Sequence, residues 1–75
     1  MKETKIILNT VERIKDFVGE VILTDFDVDL VQGRYIINAR SIMGIFSLDT
    51  NSPITVRAYT ENADAFFAKI AKFGA

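Results

Sequence analysis

The sequence predicts an α+β fold, a two-layer open-faced sandwich in the order β-α-β-β-α-β-α, with helices on one face of a four-stranded antiparallel sheet. Three observations lead there. The run Asp25 to Leu30 alternates apolar and polar residues strictly, and a second strand-like run, Arg34 to Ala39, returns after Gln32-Gly33. Two stretches, after Asn9 and after Asn62, repeat their apolar residues at helical spacing. The chain is 75 residues long, which suits one small domain over 1–75 near the lower limit of a self-sufficient core. Since each helix offers one apolar face and each strand one apolar side, two layers bury both.

Lys5-Ile6-Ile7-Leu8 is a short apolar run ended by Asn9 and reads as the first strand. Asn9 with Glu12 three residues on makes a capping-box pattern that opens a helix, along which Val11, Ile14, Val18, Val21 and Ile22 share a face with Phe17 beside them. Gly19 weakens that helix, so its end falls between Gly19 and Leu23. In the hairpin that follows, Phe26, Val28 and Leu30 point inward from one strand, and Tyr35, Ile37 and Ala39 from the other. Asp49 to Pro53 is a loop; Ile54, Val56 and Ala58 then alternate with Thr55, Arg57 and Tyr59 in a fourth strand. Asn62 is placed to cap the last helix, whose apolar face runs through Ala63, Phe66, Phe67, Ile70 and Phe73 or Gly74.

Composition removes several function classes. Nine basic and ten acidic side chains leave a net charge of -1, with no basic cluster interleaved with aromatics, so neither nucleic acid nor a membrane surface is expected as a partner. No apolar run approaches a membrane span, and the chain contains no cysteine; a cytoplasmic location is the expectation. Histidine is absent too, which rules out imidazole acid–base chemistry and phosphohistidine. With no paired carboxylates or glycine-rich phosphate loop, no enzyme class finds its residues, and no cofactor or metal is expected.

Between the hairpin and the loop lies Asn38-Ala39-Arg40-Ser41-Ile42-Met43-Gly44-Ile45-Phe46-Ser47-Leu48. Ser41 is suited to cap a short helix. Ile42, Ile45 and Phe46 are expected on one helical face and Met43 off it. Five apolar residues are more than a two-turn helix can bury against one sheet, so some are left for a partner. The segment Arg40 to Leu48 resembles the regulatory segment of HPr, the histidine-containing phosphocarrier protein of the bacterial sugar phosphotransferase system. That family shows a basic residue before Ser-Ile-Met-Gly and a short apolar helix. The resemblance implies an HPr-like sandwich with sheet order 1-4-2-3, the Asp25 to Leu30 strand central and the Arg34 to Ala39 strand at an edge. It also implies a phosphorylation site at Ser41 for an HPr kinase and a docking surface made of Ile42, Met43 and Phe46. Implied partners are that kinase, a transcriptional regulator or phosphotransferase-system enzymes.

The resemblance fails between the first strand and first helix. There the family carries a Gly-(Leu/Ile)-His-(Ala/Thr)-Arg-Pro type loop whose histidine holds phosphate, whereas this chain has only Leu8-Asn9-Thr10-Val11. A hydroxyl or an amide does not form a phosphoramidate, so the phosphocarrier role is not expected. Arg13 lies inside the helix pattern and does not match the family's loop arginine. Asp25, Asp27 and Asp29 lack the glycine and glutamate of a calcium loop, since those positions hold Leu30 and Ile36. Their spacing reads as the solvated side of a strand, with Arg34 or Arg57 placed to neutralise part of the charge. The sequence thus points to an HPr-like, non-catalytic regulatory or interaction protein. The alternatives are a competitor or scaffold for the phosphotransferase system and a structural domain that dimerises through its short helix.

Overall fold

In the computed structural model, which describes residues 1–75, the elements are β1 (Lys2–Ile6), α1 (Val11–Ile22), β2 (Val28–Gln32), β3 (Tyr35–Asn38), α2 (Ile42–Phe46), β4 (Ile54–Ala58) and α3 (Asp64–Ile70). A 3-10 turn, Ala71–Phe73, ends the fold. The sheet order is β1-β4-β2-β3 and every pairing is antiparallel. β2 is therefore central and β3 an edge, as the HPr resemblance implies.

β4 shows most plainly why these residues form a sheet. Ile54, Val56 and Ala58 are fully buried while Thr55 and Arg57 are half-buried on the other side, the alternation of a strand covered by helices on one face. Arg57 donates through Nε to Glu3 at 2.8 Å across the β1–β4 pair. That hydrogen bond, with a second contribution from Tyr59, raises the guanidinium pKa above its ordinary value. The β2–β3 hairpin turns at Gly33, whose φ of 60° is the left-handed conformation that a two-residue hairpin loop requires at its first position.

The core is wholly apolar. Eighteen hydrophobic residues are buried and no polar or charged one joins them. From α1 come Ile14, Phe17, Val18 and Val21; from α3 and the turn after it, Phe66, Ile70 and Phe73. The rings of Phe17 and Phe73 meet edge to face at 6.1 Å, one of the favoured aromatic geometries.

Several expectations about the elements change. The first strand runs over Lys2–Ile6 rather than Lys5 to Leu8, because its identity comes from hydrogen bonding to β4 and not from its own apolar content. Leu8 is fully buried in the connection instead. Thr10, not Asn9, caps α1, its Oγ1 accepting the Arg13 N–H at 3.1 Å. Val11 and Ile22 are exposed although they share the helical spacing, and Phe17 takes the centre of the buried face. Only from Val28 is β2 regular, so Asp25 and Asp27 precede it; Phe26 packs from the loop against Phe66 at 5.7 Å. Tyr35 is 63% exposed, since its edge position leaves nothing above it. Asn62 lies in a turn, its N–H donated to Thr60 Oγ1, and Ala63 stands at the start of α3 without a side-chain cap.

Candidate functional site

α2 is a single five-residue helix, and its local chemistry explains why it forms. The Ser41 backbone is extended, and Ser41 Oγ accepts the Gly44 N–H at 3.1 Å, which satisfies one of the unpaired donors of the first turn. Gly44 is closely fitted there: a Cβ would stand 3.0 Å from Ser41 Oγ and 3.3 Å from the Ile37 side chain on β3, so a larger residue would crowd the capping hydroxyl. Ser41 is exposed, and its hydroxyl is engaged only by that cap. Ser41→Ala is expected to cost about 1 kcal/mol and to lower the melting temperature by about 4–8 °C, measured by circular dichroism.

The orientation of α2 follows from its two deepest residues. Ile45 is fully buried and Leu48, just beyond the helix, nearly so. At about 100° per residue, a helix centred between them holds Ile42 at the boundary and turns Phe46 and then Met43 progressively outward. Ile42 is accordingly half-buried and packs on the core, whereas Phe46 is 49% and Met43 77% exposed. Met43 lies off the core face as expected. Phe46 does not share the face of Ile45, because Leu48 rather than Phe46 completes the inward side. Two of the three candidate docking residues thus face solvent on adjoining parts of one short helix.

Three polar side chains that sequence reasoning missed hold this segment and the connection before α1. Arg40, next to Ser41, donates through Nη2 to the carbonyls of Thr24 and Phe26 and to Thr24 Oγ1, at 3.3 to 3.4 Å, tying the start of α2 to the loop after α1. Gln32, at the end of β2, donates to the Asp49 carbonyl and accepts the Asp49 N–H, both at 2.8 Å, and so fixes the exit. The only available signal for Gln32 was a polar residue ending an apolar strand beside a Gly turn. Arg13 is the third. Its Nε and Nη2 both donate to the Ile7 carbonyl, at 3.1 and 2.9 Å, and its guanidinium lies 5.2 Å from the centre of the Phe73 ring.

Arg13 and Leu8 close the region where the resemblance would place a phosphate-bearing loop. The connection from β1 to α1 is short, filled by buried Leu8 and clamped by Arg13; it holds no histidine, and its one hydroxyl, on Thr10, caps α1. Elsewhere, Asp29 accepts a hydrogen bond from the Tyr59 hydroxyl at 3.0 Å, while Arg57 spends its Nε on Glu3 instead of Asp29. No three acidic side chains converge on a point that holds a metal. An open groove of about 370 Å³ between the end of α1, the following loop and α3 takes none of its lining from the Ser41 to Leu48 segment. No helix is long and apolar enough to cross a membrane.

No protein-family model matches the sequence, and no curated protein matches it. Among solved structures the chain is similar to HPr-C-His from Thermoanaerobacter tengcongensis, with a TM-score of 0.79 and 20% sequence identity, over 96% of this chain and 89% of that one. Element order, sheet order and that likeness agree: the chain has the HPr fold.

Proposed function

We propose that the chain is a non-catalytic, HPr-like interaction protein that docks a protein partner through α2, with Ile42, Met43 and Phe46 forming the contact and phosphorylation of Ser41 switching it. The observation that carries this reading is the outward exposure of Met43 and Phe46 on a five-residue helix whose capping hydroxyl is itself exposed. Large apolar groups in the open, with a flexible thioether among them, are suited to partner binding. A phosphate on Ser41 adds about -1.5 to -2 charge beside that surface, which penalises an apolar or acidic partner and favours one carrying arginine. Arg40 is already committed to the Thr24 and Phe26 carbonyls, so the new charge is left for a partner to read.

The partners proposed are those of the HPr resemblance: an HPr-kinase-type enzyme acting on Ser41, and a transcriptional regulator or phosphotransferase-system enzymes at α2, in a bacterial cytoplasm. A second reading, a competitor or scaffold for those enzymes, is favoured by the filled β1–α1 connection, which keeps the fold while removing the phosphate-bearing loop. The test is intact mass after incubation with ATP and an HPr kinase, beside Ser41→Ala. A single phosphate gained by the native chain and absent from the variant is the expected result. No gain, under conditions that label an HPr, removes the switch and leaves Ser41 as a helix cap.

A further inference from the structure

The two edges of the sheet are unlike. β1 carries Lys2, Glu3 and Lys5, and its outer rim is covered: Ile6 bridges Gly74, and the Lys5 carbonyl accepts the Ala75 N–H. Charge and cover are the devices that stop an edge pairing with another chain. β3 has neither. Its four residues, Tyr35, Ile36, Ile37 and Asn38, include no charge and no proline, and Tyr35 and Ile36 are 63% and 58% exposed.

The hairpin register determines which backbone groups of β3 are free. Gln32 and Tyr35 close the two-residue turn as a hydrogen-bonded pair, and such pairs alternate along an antiparallel ladder. Tyr35 and Ile37 therefore spend their backbone groups on β2. The Ala39 N–H, donated to the Val28 carbonyl at 2.9 Å, continues the same alternation. The N–H and C=O of Ile36 and the N–H of Asn38 point away from the sheet; the Asn38 carbonyl is taken by the Ser41 N–H.

We infer that β3 pairs with β3 of a second copy of this chain, antiparallel about a twofold axis at Ile36, joining two four-stranded sheets into one of eight strands. A second copy is the occupant because this pattern is self-complementary. The axis sets Ile36 opposite the partner's Ile36 as a hydrogen-bonded pair, using the groups that point outward. It sets Tyr35 opposite the partner's Ile37 on the helix-covered side, an aromatic against a β-branched residue, and isoleucine against isoleucine on the other. Arg34, the one charge adjoining the strand, falls opposite the partner's Asn38, so no like charges face each other. This surface is distinct from Met43 and Phe46 and does not depend on the role proposed for Ser41.

The chain's lack of cysteine makes the test direct. Hydrogen-bonded residues of an antiparallel pair have Cα atoms about 5.5 Å apart, within reach of a disulfide. Ile36→Cys under mild oxidation is expected to yield a cross-linked species of twice the 8.4 kDa chain mass. Asn38→Cys is not, because its two copies stand roughly 13 Å apart along the strand. Sedimentation of the native chain over a concentration series is expected to rise toward the dimer mass. Ile36→Lys, which alters only an exposed side chain, is expected to hold it at the monomer mass with an unchanged circular dichroism spectrum. A native chain that stays monomeric to about 1 mM, equal cross-linking of both cysteine variants, or a dimer that survives Ile36→Lys and is lost in Phe46→Asp would each overturn the inference.

Discussion

Phe17→Ala is expected to cost this fold more stability than Ser41→Ala, Arg13→Ala or Phe46→Ala, about 3–5 kcal/mol. A domain of this length has about 4–11 kcal/mol in total, and truncating a buried phenylalanine costs about 3–5 kcal/mol through lost transfer energy and the cavity left behind. Phe17 is fully enclosed and its ring meets Phe73 edge to face, so the cavity would open between α1 and the 3-10 turn. Rigid strands on one side and a second ring on the other limit how far the gap can collapse. Urea denaturation followed by circular dichroism should show the midpoint falling by about a quarter or more. Phe46→Ala, at a position already half in water, should lower the stability by only about 1 kcal/mol, since little burial is lost. Equal effects of the two variants would contradict the orientation of α2 described above.

Arg13→Ala should have the next largest effect, and a local one. The guanidinium gives two hydrogen bonds to the Ile7 carbonyl and covers Phe73, and bonds to a charged donor are worth about 1.5–3 kcal/mol. Losing them loosens the junction where β1 meets the end of the chain, held by Ile7 N–H to the Phe73 carbonyl and Ala75 N–H to the Lys5 carbonyl. Amide hydrogen exchange at Ile7 and Ala75 should accelerate at least tenfold, corresponding to about 1.4 kcal/mol of lost protection. Exchange at Tyr59, bonded to the Asp27 carbonyl, should change much less. Arg13→Lys should recover only part of the loss, because an ammonium cannot present two fixed donors to one oxygen.

These two residues also mark how far the sequence was legible. Where an element owes its form to its own pattern, the reading succeeded: the alternation of Ile54, Val56 and Ala58, the Gly33 turn, the Ser41 cap and the outward Met43. It faltered where a distant element decides. β1 is a strand because β4 pairs with it, so its charged residues gave no local sign. Phe17 sat beside the helical face in the spacing but at its centre in the fold, because Phe73, far along the chain, lies against it. Phe46 belonged to the inward face by period alone, and only the burial of Leu48 past the helix end rotates it outward. Arg13, Gln32 and Arg40 act on backbone carbonyls brought near by folding, and nothing in a linear pattern announces such partners.

The sheet order has a kinetic consequence. β1 is held by β4 and by Gly74 and Ala75, so residues from both ends of the domain must be made before this strand has a place. The β2–β3 hairpin and α1 can form early from neighbouring residues, but closing the β1–β4 pair bears the entropy of the long loop between Ile6 and its partner Ile54. Folding should therefore be slow for so small a chain. During synthesis the apolar residues Ile6 and Leu8 stay unsheltered until the last helix emerges.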